Sequence, residues 1–201
     1  AFRRRSGLPV SVDTRRAETA RAALDEGADI INDISALSDP AMAPLCAERG
    51  AALVLMHMRG NPKTMQEDLA SYGDIMGELK DFFRGVLERA FEAGVGRRSI
   101  ILDPGIGFGK STQDNLVILN QLNQLNQLAE IPGGDYPVLV GLSRKRFIGE
   151  VTGRDAARRL AGTLGAGAAA LYGGADILRV HDTAESVDLV RIWHGVVSAH
   201  S

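Results

Sequence analysis

The chain has one cysteine, Cys46, in 201 residues. That excludes an intrachain disulfide and a cysteine-cluster metal site, and its alanine-rich surroundings read as a buried helix. No apolar run approaches the ~18 residues of a membrane span, and no signal peptide opens the chain. The expectation is a cytoplasmic protein with no membrane partner. Charge of one sign is also lacking. The 23 Lys and Arg against 25 Asp and Glu leave a net charge of −2, too weak a field to recruit nucleic acid. The one basic run, Arg3–Arg5, is short and reads as a solvated tail over residues 1–7. With 45% apolar and 24% charged residues the composition is that of a globular chain, and the length predicts one domain over residues 1–201. What is abundant is glycine, 23 residues, about 11% against a usual ~7%. Many tight turns or close backbone approaches follow.

Short apolar runs alternate with longer helical patterns. Strands are predicted at Pro9–Asp13, Asp29–Ile34, Ala52–His57, Ile100–Asp103, Val138–Gly141 and Ile177–Val180. Their near-continuous apolar character fits parallel strands covered on both faces. Helices are predicted at Arg15–Glu26, Pro40–Arg49, Gly73–Ala93, Gln113–Ala129, Arg144–Thr152, Asp155–Tyr172 and Thr183–Val196, with Gly27, Gly50, Gly94 and Gly173 as left-handed caps. Six β-then-α units make an α/β protein. The words Gly27-Ala28-Asp29-Ile30 and Gly174-Ala175-Asp176-Ile177 repeat at two strand entrances, which suits a barrel of equivalent units. Asp13, Asn32, His57, Asp103, Ser143 and Arg179 stand at or just past strand ends. A (β/α)8 (TIM) barrel gathers such ends on one rim, whereas an open sheet gathers only those near its switch point. Eight units are needed and six are present. The expectation is a barrel of which this chain carries the last six units. In Leu119–Leu128, LNQLNQLNQL, a three-residue period drifts around a 3.6-residue helix, so its leucines are expected to spiral instead of forming one stripe.

Asp103-Pro104-Gly105-Ile106-Gly107-Phe108-Gly109-Lys110 is the most distinctive stretch. Proline at 104 breaks a P-loop, and the glycine spacing does not match G-x-G-x-x-G. What remains is a strand-end carboxylate before a loop whose bare backbone can approach a flat ligand, with Phe108 as a face or lid. In Gly141-Leu142-Ser143-Arg144-Lys145, Ser143 reads as the N-cap of a helix whose start favours an anion, with Lys145 one turn in. Arg179 and His181, two residues apart, present two phosphate-type donors together. Asp13 and Asn32 add a carboxylate and an amide. No His–Glu cluster points to zinc, and the surrounding cations favour an anionic substrate over the paired-carboxylate chemistry of glycoside hydrolysis. His57, His194 and His200 read as structural or exposed, and Met56 as an apolar pocket wall.

Taken in order, SVDT, IINDISA, MHMRG, DPGIGFGK, GLSRK and RVHD resemble the dihydropteroate synthase family from Leu8 to the C-terminus. The resemblance implies a TIM barrel that joins 6-hydroxymethyl-7,8-dihydropterin pyrophosphate to p-aminobenzoate and releases pyrophosphate, in folate biosynthesis, as a sulfonamide target. It implies that Asp103, Asn32, Asp13 and Lys145 read the pterin edge, with Ile34, Met56 and Gly107 against its ring. Arg179 and His181 would hold the pyrophosphate, and Ser143, Arg144 and Phe108 the p-aminobenzoate. Lys145, Asp103, Arg179 and His181 are the implied catalytic group. Mg2+ is implied as a cofactor, its asparagine ligand lying in a family strand that this sequence does not show, and so is a homodimer through the last helices. Without the family's first two units the chain is expected to be weakly active or inactive. Two other readings stand beside this one: a pterin-binding methyltransferase domain, which needs no pyrophosphate site, and a pterin-binding fragment without activity.

Overall fold

The computed structural model describes residues 7–60, 72–126 and 135–199. The basic run at 3–5, His200 and the end of the LNQ repeat lie outside the described residues. Strands and helices alternate: β1 (Ser11–Asp13), α1 (Ala17–Asp25), β2 (Ile30–Asp33), α2 (Met42–Arg49), β3 (Ala52–Met56), α3 (Ile75–Glu92), β4 (Ile100–Asp103), α4 (Thr112–Asn120), α5 (Asn123–Asn126), β5 (Leu139–Gly141), α6 (Arg146–Thr152), α7 (Leu160–Tyr172), β6 (Ile177–Arg179) and α8 (Thr183–Ser198). Short 3-10 turns precede β4 and α7.

All strand pairs are parallel and follow chain order. β1 to β4 form one sheet and β5 pairs with β6. A parallel bridge, Leu102↔Val138, joins the two groups. A doubly wound sheet reverses its strand order; here there is no reversal, as in the wall of a barrel. The wall curls far enough for Arg179 on the last strand to reach Asp13 on the first.

Register decides which side chains face the helices. Ile31, Leu53, Ile100, Leu102, Val138 and Val140 share one face by strand pairing and belong to one buried cluster with helix residues such as Leu45, Leu79, Phe83 and Leu87. The other face carries Asp13, Asn32, Val54, Met56, Asp103, Gly141 and Arg179. Alternation of period two thus separates an apolar outside, sealed by helices, from an inside with polar groups at its C-terminal end.

The repeated tetrapeptide performs the same task twice. Asp29 accepts the Val10 N–H at 2.8 Å, while Asp29 and Ile30 donate back to the Val10 carbonyl. Asp176 accepts the Val138 N–H at 2.8 Å, and Asp176 and Ile177 donate back to the Val138 carbonyl. Each Asp therefore fixes the register of its strand against the preceding one. The glycine before it closes a Schellman cap: Gly27 and Gly174 have φ of 91° and 96°, and Ala28 and Ala175 bond back to Ala23 and Ala170. Gly50 and Gly94 cap α2 and α3 in the same way. The expected fourth cap, Gly173, is instead right-handed, and its neighbour Gly174 takes the left-handed turn. A Cβ on Gly173 would meet the Leu119 carbonyl at 2.8 Å, so this glycine serves close packing.

Two helix expectations are corrected. Gln113–Ala129 is not one helix: a Ser111–Asp114 capping box starts α4, which ends at Asn120 before the short α5. The described LNQ leucines are all buried instead of spiralling to the surface. Gln124 and Leu125 bond to residues three back, at 3.0 and 2.9 Å, and a turn of three residues brings a three-residue repeat onto one side. Leu119, Leu122 and Leu125 are all buried, while Gln124 accepts from Lys80 Nζ at 2.8 Å.

Candidate active site

Inward residues from the two most distant strands meet at the C-terminal rim. Asp13 divides its carboxylate between two partners: Asn32 Nδ2 donates to one oxygen at 2.7 Å and Arg179 Nη2 to the other at 2.5 Å. The Asp13–Arg179 pair is half exposed, so an entering anion can compete for the guanidinium. Asn32 is buried, and its Oδ1 has no hydrogen-bond partner among the described residues. A buried acceptor left unmatched costs stability, and a ligand N–H would satisfy it. Beside it a cleft of about 420 Å³ is lined by Asp13, Thr14, Arg15, Arg16 and Ile34. Arg15 and Arg16 were not singled out in the sequence, where their neighbour Asp13 drew the attention.

Asp103 is buried at the end of β4 beside Met56, its register neighbour on β3. One carboxylate oxygen accepts the Gly105 N–H at 2.7 Å. Burial pushes its pKa above the usual carboxylate value, against the opposing pull of the Gly105 N–H and of Lys145, Lys110 and Arg179. Lys145 donates to the Ile106 carbonyl and holds its ammonium 4.3 Å from the centre of the Phe108 ring. Burial brings Lys145 down to about 8, with Asp103 opposing that shift. A Cβ on Gly141 would stand 4.0 Å from both Arg179 and Lys145, so Asp103, Lys145 and Arg179 form one group.

The glycine loop packs closely against the segment past β3 and against Lys145. Gly105, Gly107 and Gly109 all have positive φ. A Cβ on Gly105 would fall 1.9 Å from the His57 carbonyl, one on Gly109 2.4 Å from the Arg59 carbonyl, and one on Gly107 2.8 Å from Lys145 Cδ. The room left by the missing side chains at Gly105 and Gly109 is filled by main chain just past β3, and at Gly107 by the Lys145 side chain.

The GLSRK segment also departs from expectation. Ser143 is not an N-cap. Its hydroxyl accepts the His181 N–H at 2.8 Å, tying the end of β5 to the end of β6. Lys145 occupies the N-cap position, not one turn in, and α6 has only seven residues. Arg144, expected beside the aminobenzoate, sits at φ 54° and gives its guanidinium to Asp182, with contacts of 2.7 and 3.2 Å. The Asp182 carboxyl is held below its usual pKa by that pair. His181 is exposed beside Ser143.

The sequence reading passed over one cluster. Lys110 is buried, and its ammonium lies within 2.9 Å of His57 Nδ1, 3.1 Å of the Gly105 carbonyl, 3.2 Å of the Phe108 carbonyl and 3.3 Å of the His57 carbonyl. His57 points to the helix side, edge-on to Phe82 at 4.7 Å. Burial drops its pKa to about 3, with Lys110 and Arg59 adding to the shift. Most of Lys110's acceptors are main-chain carbonyls, which leave no mark in a sequence. No group of three His, Cys, Asp or Glu side chains among the described residues could hold a metal ion.

A family model described as "Pterin binding enzyme" matches residues 1–181. The chain is 44% identical over 194 residues to the dihydropteroate synthase of Synechocystis, covering 96% of this chain and 65% of that relative. Among solved structures it is similar to a Xanthomonas albilineans dihydropteroate synthase in complex with 7,8-dihydropteroate: TM-score 0.85, 40% identity, 97% of this chain and 69% of that one. It is also similar to the Yersinia pestis enzyme with a sulfonamide drug complex: TM-score 0.89, 35% identity, 97% of this chain and 68% of that one. The chain spans about two thirds of the length of the relatives it matches.

Proposed function

The chain belongs to the pterin-binding enzymes, and from that premise we propose that its rim serves a dihydropteroate synthase: a transferase that joins 6-hydroxymethyl-7,8-dihydropterin pyrophosphate to p-aminobenzoate. The carrying observation is the unmatched Asn32 Oδ1 on the same inner face as the buried Asp103 carboxylate. A pterin edge offers the N–H donors that such a pair lacks. A site built to pair donors and acceptors rejects analogues without them by on the order of 10⁴–10⁵. Asp13 and Lys145 extend this edge, and Ile34, Met56 and Gly107 border the ring.

In the reaction the C–O bond between the pterin methylene and the diphosphate breaks, and the electron pair leaves with pyrophosphate. The carboxylates of Asp13 and Asp103 favour the positive charge that develops on the pterin. Arg179 receives the diphosphate, exchanging Asp13 for phosphate oxygens, with exposed His181 beside it. The amine of p-aminobenzoate then forms the new C–N bond and loses a proton. Ser143 and Phe108 border the place assigned to this second substrate, while the commitment of Arg144 to Asp182 supports a role for Arg144 in shaping the segment. Mg2+ stays part of the proposal as a cofactor that, when bound, would supply further countercharge to the departing diphosphate beside Arg179 and His181. A cation positioned for an anionic leaving group favours the synthase over a methyltransferase domain. By analogy with the named relatives we propose sulfonamide sensitivity and a cytoplasmic location; no described helix is long and apolar enough to cross a membrane. A homodimer is supported by the exposed Val187, Val190, Ile192, Val196 and Val197 of α8.

The test is calorimetric titration with the pterin pyrophosphate. Asp103→Asn should weaken binding roughly a thousandfold, since the buried amide leaves ligand donors unmatched. Unchanged affinity would overturn the assignment. Pyrophosphate release that depends on p-aminobenzoate separates a synthase from a binding fragment.

A further inference from the structure

Two lysines flank the Asp103 carboxylate, and the function proposed above engages only Lys145. The second, Lys110, ends the loop that Asp103 begins. Its ammonium has four acceptors between 2.9 and 3.3 Å: one imidazole nitrogen and three main-chain carbonyls. Two of the carbonyls, those of Gly105 and Phe108, belong to the loop itself, and the third, that of His57, belongs to the segment just past β3. A protonated amine shares its three N–H donors among these four acceptors, and Nδ1 is one of them when the neutral imidazole carries its proton on Nε2. The low pKa of His57 agrees with that state. The loop is also pressed against the same strand end through Gly105 and Gly109, which leave no room for a Cβ beside the His57 and Arg59 carbonyls.

We propose that Lys110 is a positioning residue for the pterin pocket: its ammonium latches the 103–110 loop onto the end of β3 and stands beneath Asp103 as a buried countercharge. The proposal rests on the pterin reading for the ligand but not for the latch. Through the loop, Lys110 sets the Gly105 N–H that Asp103 accepts, the Ile106 carbonyl that receives Lys145, and the Phe108 ring beside the Lys145 ammonium. The charged groups facing Asp103 are Lys145, Lys110 and Arg179. Those facing Lys110 are Asp103, Lys145, Asp114 on α4 and Arg59 beyond β3, with neutral His57 in contact. Desolvation lowers Lys110 to about 7, and Asp103 is the largest force resisting that fall. Each charge therefore favours the ionised form of the other, and removing one disfavours that form.

The deciding measurement is the titration of Asp103 in ligand-free protein, followed by carboxyl 13C NMR with the resonance identified by its loss in Asp103→Asn. In Lys110→Met the Asp103 titration should move to higher pH, and affinity for the pterin pyrophosphate at neutral pH should fall on the order of tenfold. Melting temperature should fall as well, since the three carbonyls and Nδ1 lose their donor, so the Asp103 titration is the readout that decides. A merely structural lysine would lower the melting temperature and leave the Asp103 titration where it is in the wild type, and that result would overturn the proposal. If Lys110→Met does not fold, Lys110→Gln, which keeps donors for the carbonyls and drops the charge, carries the same expectations for the titration and the affinity. Should wild-type protein fail to bind the pterin, the functional reading falls while the ligand-free titration still decides the role of Lys110.

Discussion

Where the strands begin, Asp29 and Asp176 each commit a carboxylate oxygen to the N–H of the neighbouring strand, and the backbone answers with two bonds in return. At the strand ends, Asn32 Oδ1 accepts nothing from the described residues and Asp13 stands between two donors. Asp103 is buried among cations there with one backbone N–H for company. The same residue type thus closes the structure at one end and leaves it receptive at the other. A satisfied polar group stabilises a fold; an unsatisfied one, held in place by its neighbours, is prepared for a ligand.

The contrast can be tested from both ends. The largest effect is expected at the receptive end. Arg179→Ala should weaken binding of the pterin pyrophosphate roughly a hundredfold, as expected for loss of a charge-assisted contact, and leave binding of the pterin without its diphosphate nearly unchanged. Equal losses for both ligands in calorimetry would contradict the role given to Arg179. At the closed end, Asp176→Ala should cost about 1–3 kcal/mol in denaturant unfolding, because the Val138 N–H loses its partner, with ligand affinity untouched. A fall in affinity as large as the fall in stability would erase the distinction between the ends. The smallest effect at neutral pH is expected at His57, where its pKa of about 3 lies below the ordinary 6.5. Between these values the unfolded chain binds a proton that the folded chain does not, so stability is lost as pH falls from 6.5 toward 3. His57→Gln should flatten that acid limb in urea melts recorded across the range. An unchanged limb would show that His57 is not its source.

Much of this was legible in the sequence. The six strands, their parallel order and the polar residues at their ends follow from period-two patterning and from the spacing of glycine caps. The GADI repeat announced equivalent strand entrances, and the structure shows the shared hydrogen bonds behind it. Asp13, Asn32, Met56, Asp103 and Arg179 emerge on one face because register places them there. Other features were illegible for a physical reason. Arg144 and Ser143 also tie the fold together, through partners Asp182 and His181 that lie 38 residues away. Lys110 binds carbonyls that any residue carries. Leu119, Leu122 and Leu125 are all buried, with three-back hydrogen bonds at Gln124 and Leu125, a local tightening that a 3.6-residue template does not anticipate.

The strand-entry tetrapeptide has a use outside this protein. Parallel sheets are prone to slip by a residue, and a slip turns every side chain to the wrong side. One aspartate that grips the adjacent strand's first amide, set behind a glycine turn, forbids such an offset with four residues and no contribution from the core. Grafted at the entrances of a designed barrel, it would serve as a portable alignment peg.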